Sequence, residues 1–158
     1  AQARRATGVL SGEPLRCVVA SDLTRVRQTV APLLGTMPMP TVDDPALRER
    51  GFGGYEGESL FADLWFRTDR EVEPVESFVE RVLGAMERHV VGSGVLVAAH
   101  GGVLHVIAGA LGLMPDDAAR RNAVPLRFER GDGGWTAAEL TPFGVRPATI
   151  DVPAVAGK

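Results

Sequence analysis

The sequence has little of what builds several familiar classes of protein. Its one cysteine, Cys17, lies in an apolar run, which excludes a disulfide framework and favours a small buried hydrophobe in a reducing compartment. There is no basic tract, no apolar run long enough to cross a bilayer, and a formal net charge of -3. These features argue against nucleic-acid and membrane partners. No secretory signal is visible, and we expect a cytoplasmic protein.

Several signature motifs of enzymes are also missing. The sequence contains no Gly-x-Gly-x-x-Gly dinucleotide loop, no Gly-x-Ser-x-Gly nucleophile elbow and no Gly-x4-Gly-Lys-Ser/Thr phosphate loop. Its three histidines, His89, His100 and His105, lack the spacing to cysteines or carboxylates that zinc sites use. We therefore expect neither a metal nor a cofactor.

What the sequence does have is an alternation of apolar strand-like runs and helical patterns. The 158 residues, 45% of them hydrophobic, suffice for a single domain over 1–158 with a core of its own. The alternation predicts an α/β fold whose mostly parallel sheet has helices on both faces. The predicted strands cover 15–20, 41–43, 95–99, and a hairpin of 124–128 with 135–140 around a turn at 131–134; the Pro- and Ala-rich residues 141–158 are predicted to be a surface tail.

The helical signals are of unequal strength. Ser21 or Asp22 is expected to cap the second helix, and Pro32 to kink it or end its first part. Pro74 opens a strongly amphipathic helix with a continuous apolar face. Weaker patterns predict the tail of a helix over 1–10 and a short helix over 58–67.

The most informative stretch runs from Gly94 to Gly102. Its wholly apolar part, 95–99, is typical of a buried central strand, and a helical pattern follows His100. His100 therefore stands at the carboxyl end of a strand, where open α/β sheets bind ligands. Gly101 and Gly102 let the backbone approach a ligand, and free N–H groups at a helix start favour an anion.

Two more side chains are predicted to reach the same edge of the sheet. Arg25 follows a strand directly, where its guanidinium suits phosphate oxygens, whereas Arg27 is interpreted as an ordinary solvated residue. Glu49 lies between two arginines in a loop rich in glycine and aromatic residues. An arginine, a carboxyl and an imidazole beside backbone donors suit phosphoryl transfer. His89 is predicted to be exposed, and His105 to be structural or to stand behind the site.

Three motifs together resemble the histidine phosphatase superfamily, in its phosphoglycerate mutase-like branch. They are Ser-Asp-Leu-Thr-Arg over 21–25, Leu-Arg-Glu-Arg over 47–50 with the glycines that follow, and Ala-His-Gly-Gly over 99–102. The resemblance extends from residue 1 to about residue 114. It implies a three-layer α/β/α sandwich and a phosphohistidine intermediate. It also implies that Arg25 binds the phosphoryl group, that Glu49 is general acid and then base, and that His100 stabilises the transferred group near the Gly101 N–H.

One feature of that family is missing, the nucleophilic histidine of an Arg-His-Gly strand. We expect such a strand upstream of residue 1, the alternative being a relative that has lost its chemistry. The predicted function is a metal-independent phosphatase for a small phosphorylated metabolite, because the stretch after Gly57 is short and has no basic run for a second acidic group. The alternatives are a phosphoglycerate mutase-type transfer and an inactive phospholigand-binding module. The natural substrate and the oligomeric state stay open, a homodimer being one option.

Overall fold

The computed structural model describes residues 2–57, 66–69 and 71–149 of the chain. The short helix predicted over 58–67 lies almost wholly outside the described residues. Within them, no helix has both the length and the apolar character needed to cross a lipid bilayer. The described elements are α1 (Gln2–Leu10), β1 (Cys17–Ala20), α2 (Thr24–Thr36), β2 (Thr41–Asp43), 3₁₀ turns at Pro45–Leu47 and Gly53–Tyr55, α3 (Val75–His89), β3 (Val95–Ala98), α4 (Gly101–Ala110), β4 (Leu126–Gly131), β5 (Gly134–Thr141) and β6 (Gly144–Pro147).

The first three strands form a parallel sheet in the order β2-β1-β3. Because side chains along a strand point alternately to opposite faces, each strand supplies apolar groups to both sides of the sheet. Val19 and Val97 pack in a cluster with residues of α3 and α4, whereas Val18 and Leu96 pack in a cluster with residues of α2. Helices therefore cover both faces, and the predicted α/β class with its three layers is confirmed.

Helix α3 provides much of the cover on one face. Its residues Phe78, Val82 and Ala85 follow the i, i+4, i+7 spacing of one helix face, and all three are buried. They meet Val103 of α4 in a single apolar cluster. The predicted amphipathic helix is confirmed, with Pro74 as its N-cap residue.

The strand before His100 differs from its prediction. The expected central strand over 95–99 is β3, which ends at Ala98 and is an outer strand of the described sheet. All four of its residues are partly exposed, whereas Val18 and Ala20 of the middle strand β1 are fully buried. Helices cover both faces of β3, so it needs apolar side chains on both sides even as an outer strand of the described sheet.

Helix α2 contains Pro32, which is predicted to kink the helix or to end its first part. The helix does not end there but continues to Thr36, and the kink stays a prediction. Proline inside a helix costs about 3 kcal/mol because it removes one hydrogen bond and crowds the preceding turn. Val26 and Val30 before the proline and Leu33 after it are buried, and this packing on both sides offsets the cost.

The last three strands form a separate antiparallel sheet in the order β4-β5-β6. The predicted hairpin is confirmed, with its turn between Gly131 and Gly134. The predicted surface tail is wrong at its start, since Gly144–Pro147 forms β6 and pairs with β5. Gly144, at φ 123°, lets the chain reverse there, and a strand of four residues is too short to show a clear alternation.

Candidate active site

The three side chains predicted to converge do stand at one edge of the parallel sheet. Arg25 lies in the first turn of α2 after β1, and Glu49 follows β2 by way of a 3₁₀ turn. His100 follows β3 and is the N-cap residue of α4. Because parallel strands end at the same edge, the segments that follow them meet there.

His100 joins the segments after β1 and β3. Its Nδ1 lies 3.2 Å from Nη2 of Arg25, and its Nε2 lies 3.0 Å from Oγ of Ser21. Since a guanidinium has no acceptor, Nδ1 accepts that hydrogen bond and Nε2 carries the proton donated to Ser21. Burial of the ring, and then the positive charge of Arg25, lower the pKa of His100 below its usual 6.5. The imidazole is therefore neutral at about pH 7.

Ser21 has a different role from the one predicted. The N-cap residue of α2 is Leu23, without a side-chain cap, so neither Ser21 nor Asp22 caps the helix. Ser21 is fully buried, and its Oγ accepts from the Leu23 N–H at 3.4 Å as well as from His100. The hydroxyl thus fixes the ring of His100. The sequence does not reveal this role, because a serine after a strand is typical of a helix cap.

Glu49 is held at the start of α4. Its Oε2 accepts from the Gly102 N–H and its Oε1 from the Arg50 N–H, each at 3.0 Å. The first N–H groups of a helix have no partner within the helix and attract negative charge. The carboxyl is therefore fixed by two backbone donors, close enough to His100 for its charge to act on the imidazole.

The backbone donor near the site is not used as the sequence suggests. The Gly101 N–H is the predicted substrate contact, but the N–H that meets a site side chain is that of Gly102, bound to Glu49. Gly101 opens α4, and a Cβ at this position would meet nothing within 4 Å. The space over the helix start is therefore open, and the role of Gly101 stays a prediction.

An ion pair between Arg48 and Asp22 lies beside the site. Arg48 donates from Nε and Nη2 to the two carboxylate oxygens of Asp22, at 2.7 and 2.5 Å. These hydrogen bonds are the main cause of a pKa of Asp22 below its usual range. The pair ties the loop after β1 to the segment that carries Glu49. Both residues belong to the quoted motifs, but their spacing does not reveal that they pair.

The other two histidines are engaged elsewhere. His89 is not simply exposed, because its Nε2 lies 2.8 Å from Oδ2 of Asp44 and its side chain is largely covered. His105 is exposed on α4 and its Nδ1 lies 2.7 Å from the Gly101 carbonyl, one helical turn earlier. Both contacts fit the structural roles of helix-surface histidines, the second in line with its prediction.

Two further expectations have mixed outcomes. Cys17 is a free thiol at the start of β1, and it is partly exposed rather than buried. Arg27 is largely exposed, as predicted, and forms an ion pair with Asp43 at 2.9 Å. Arg27 therefore points to a partner other than His100, although it lies two residues from Arg25.

The arrangement suits an anion with several oxygens. Arg25 is exposed and offers a charged fork beside an imidazole, and the open start of a helix lies next to both. The carboxyl of Glu49 lies at the same helix start, where it accepts from the Gly102 N–H. A phosphoryl group bound there has donors for its oxygens and a carboxyl for a proton.

Comparison with known proteins gives this site a family. A model described as the histidine phosphatase superfamily, branch 1, matches residues 1–142. Among curated proteins, agropine synthesis reductase of Rhizobium rhizogenes is 35% identical over 136 residues, or 85% of this chain. The chain spans 31% of the length of that relative.

Solved structures agree in fold. A phosphoglycerate mutase from Thermus thermophilus is 26% identical with a TM-score of 0.56, over 96% of this chain and 81% of that chain. A mycobacterial glucosyl-3-phosphoglycerate phosphatase, solved with inorganic phosphate, is 23% identical with a TM-score of 0.59, over 97% of this chain and 84% of that chain. The sequence motifs, the α/β fold and the family model agree, and the chain belongs to the histidine phosphatase superfamily, branch 1.

Proposed function

We propose that this chain carries the phosphoryl-binding site of a metal-independent phosphatase that hydrolyses a small phosphorylated metabolite. The observation that carries the proposal is the contact of Arg25 with His100, with Glu49 held at the adjacent helix start. Membership of the superfamily supports a phosphatase or mutase activity in general. The reaction, the substrate class and the roles of the residues are our inference.

The reaction has two steps. In the first, the phosphorus–oxygen ester bond breaks, a nitrogen–phosphorus bond forms on an acceptor histidine, and Glu49 gives a proton to the leaving alcohol. In the second, water attacks phosphorus, the nitrogen–phosphorus bond breaks, and Glu49 takes the proton from water. Arg25 and His100 hold the oxygens in both steps. The positive charge of Arg25, and that of His100 once the bound anion favours its imidazolium, stabilises the negative charge that is shared among those oxygens in the transition state.

The acceptor is the part that residues 1–158 do not supply. His100 contacts Arg25, His89 is bonded to Asp44, and His105 is bonded within α4. We therefore propose a further histidine in the intact protein, consistent with the expected Arg-His-Gly strand. In the described residues, β3 pairs with β1 alone, and a strand added at its other edge would end beside His100.

Hydrolysis is favoured over transfer within phosphoglycerate by the charges near Glu49. A second acidic group on the substrate needs a cation that is not already paired, and the nearby Arg48 is bonded to Asp22 through both oxygens. The solved relatives include a mutase and a phosphatase, so the mutase-type reaction is the second candidate.

The proposal is tested with β-glycerol phosphate, whose leaving alcohol needs a proton, in the presence of a chelator and with the intact protein. We expect turnover that Glu49→Gln and His100→Ala each lower by about 10²- to 10⁴-fold, the usual contribution of one such group. Arg25→Ala should lose a similar amount. Arg27→Ala is the matched control, since it removes an arginine from the same helix and should stay close to wild type.

Two outcomes separate the alternatives. Interconversion of phosphoglycerates without release of phosphate would identify a mutase. Binding of vanadate that depends on Arg25, together with no turnover of any phosphate ester, would identify a phospholigand-binding module and contradict the enzyme.

A further inference from the structure

We propose that Arg81 of α3, together with Glu73, is a positioning pair that fixes the carboxyl of Glu49 in its working position. The proposal rests on the proposed function for the role of Glu49, but its geometric part stands alone. Neither Arg81 nor Glu73 touches Arg25 or His100 in any hydrogen bond of the described residues. Besides the charge of Arg81, which reaches His100, the pair acts through its hydrogen bonds to the segment that carries Glu49.

The guanidinium of Arg81 uses all of its N–H groups. Nε and one N–H of Nη2 donate to the two oxygens of Glu73, at 2.6 and 2.8 Å. The other three donate to backbone carbonyls, those of Ala46 and Arg48 from Nη1 at 2.7 and 2.8 Å, and that of Glu49 from Nη2 at 3.0 Å. One side chain thus binds three carbonyls within four residues of chain.

Glu73 holds the other end of the same segment. Its Oε2 accepts from the Gly51 N–H at 2.9 Å, and its own carbonyl accepts from Nε of the buried Arg50 at 2.8 Å. The Glu73 N–H also donates to the Gly51 carbonyl at 2.8 Å, so six hydrogen bonds join residues 46–51 to the two residues of the pair. Glu49 lies in the middle of this segment.

As a consequence, both the backbone and the carboxyl group of Glu49 are held in place. The Arg81–Glu73 pair fixes its backbone, and the N–H groups of Arg50 and Gly102 then fix its two oxygens. Because the carboxyl is fixed in this way, it cannot move to meet a substrate. The position of the backbone therefore decides whether the carboxyl lies within reach for proton transfer. A shift of about 1 Å at a reacting group can cost about 10²-fold in rate.

The surroundings of the pair indicate that position 81 requires an arginine rather than a lysine. Arg81 and Glu73 are three-quarters covered, with 25% and 21% of their side chains exposed. The guanidinium also lies 4.8 Å from the ring centroid of Phe78, over its face. A lysine has the charge but only three donors in a different geometry, and it cannot serve both oxygens and three carbonyls.

The test uses two substrates that differ in their need for a general acid. β-Glycerol phosphate has a poor leaving alcohol that requires the proton of Glu49, whereas p-nitrophenolate leaves without much help. We expect Arg81→Lys to lower kcat on β-glycerol phosphate by about ten- to a hundredfold and on p-nitrophenyl phosphate by about threefold or less, with KM little changed. In a Glu49→Gln background, Arg81→Lys should cause no further loss.

The matched control is Arg146→Lys. Arg146 is also bonded to two carboxylates, but it lies in the antiparallel sheet away from Glu49. Arg146→Lys should leave the ratio of the activities on β-glycerol phosphate and p-nitrophenyl phosphate unchanged. An equal loss on both substrates in Arg81→Lys, or an additive loss with Glu49→Gln, would show a merely structural role and overturn the proposal.

A second readout does not depend on activity. The Gly102 amide is protected by its bond to Glu49, so its hydrogen exchange should speed up in Arg81→Lys and in Glu73→Gln but not in Arg146→Lys. If the intact protein hydrolyses no phosphate ester, the proposed function fails while this exchange still decides whether the pair holds Glu49. Unchanged exchange in both variants refutes the pair.

Discussion

The two sheets of the molecule are stabilised by different kinds of side chain. The parallel sheet has large apolar residues on both faces, such as Val19 and Phe78, packed between strands and helices. The antiparallel sheet is packed on small residues, with Ala137 and Ala148 among its buried groups. Leu140 of β5 is buried against α1 and α2, whereas Trp135 and Phe143 are exposed, Phe143 at the second turn to 99%.

The polar groups of the two sheets differ in a corresponding way. In the antiparallel sheet the charges neutralise one another, since Arg146 bonds to Asp116 and Glu139. At the edge of the parallel sheet, Arg25 makes its polar contact with a neutral imidazole and so keeps a charge for a ligand.

The largest expected effect is on the packing of the parallel sheet. Phe78→Ala empties a site that is 1% exposed, and we expect a loss of about 3–5 kcal/mol in the free energy of unfolding. Phe143→Ala in the other sheet should change it by about 0.5 kcal/mol or less, because the ring is in solvent. Denaturant unfolding followed by circular dichroism measures both. Similar losses in the two variants would mean that the sheets do not differ as described.

A smaller effect is expected where the chain enters β3. Gly94 has φ 77°, and a Cβ there would lie 2.6 Å from the carbonyl oxygen of Pro14. Gly112 has nearly the same φ, at 72°, but nothing within 4 Å of its Cβ position. Both Gly→Ala changes should cost about 1 kcal/mol for the backbone, and Gly94→Ala about 1–3 kcal/mol more for the overlap. Equal melting temperatures for the two variants would contradict the close approach.

The same contrast explains what the sequence could predict. The fold class and the edge shared by Arg25, Glu49 and His100 follow from local patterns, because apolar runs and the residues just after them are neighbours in sequence. The hydrogen bonds of Arg81 and Glu73 to residues 46–51 do not, because each joins residues far apart in the chain. Arginine on a helix surface is so common that nothing in the sequence distinguishes Arg81 from its solvated neighbours.

The strand order was beyond prediction for a related reason. Apolar composition reports that both faces of a strand are covered, but not whether another strand lies at its edge, and β3 therefore resembles a central strand. The first turn of the antiparallel sheet has the glycines that predict it. The second turn, at Pro142 and Phe143, has only Gly144 after it, so β6 was missed.

A third prediction concerns the neutral imidazole at the edge of the parallel sheet. An anion beside His100 favours the imidazolium, so sulfate binding should take up a proton, and its affinity should rise as the pH falls, by at most about tenfold for each unit, until the imidazole of the free protein is itself protonated. Calorimetry in buffers of different ionisation enthalpy measures that proton, and sulfate itself does not titrate in this range. His100→Gln should bind more weakly with no such pH dependence. The same sulfate affinity at about pH 7.5 and about pH 5.5 in the wild type, with no proton taken up, would contradict the predicted protonation of His100 on anion binding.

The smallest effect is expected from the charges of the antiparallel sheet. Hydrogen bonds from Arg146 are the main cause that lowers the pKa of Asp116 from 3.8 to about 2. Because the folded-state pKa is the lower one, this stabilisation is fully present above about pH 4 and is lost as the pH falls through about 2. Arg146→Gln should therefore lower the melting temperature slightly at neutral pH, and the difference from wild type should shrink towards pH 2 and at high salt. The effect is small because Arg146 is 41% exposed and solvent screens its charge.

Arg130→Gln, at an exposed position of β4, serves as the control and should show no such pH dependence. If the deficit of Arg146→Gln stayed constant down to pH 2, the network would stabilise the sheet by packing rather than charge, and the contrast between the two sheets would rest on side-chain size alone.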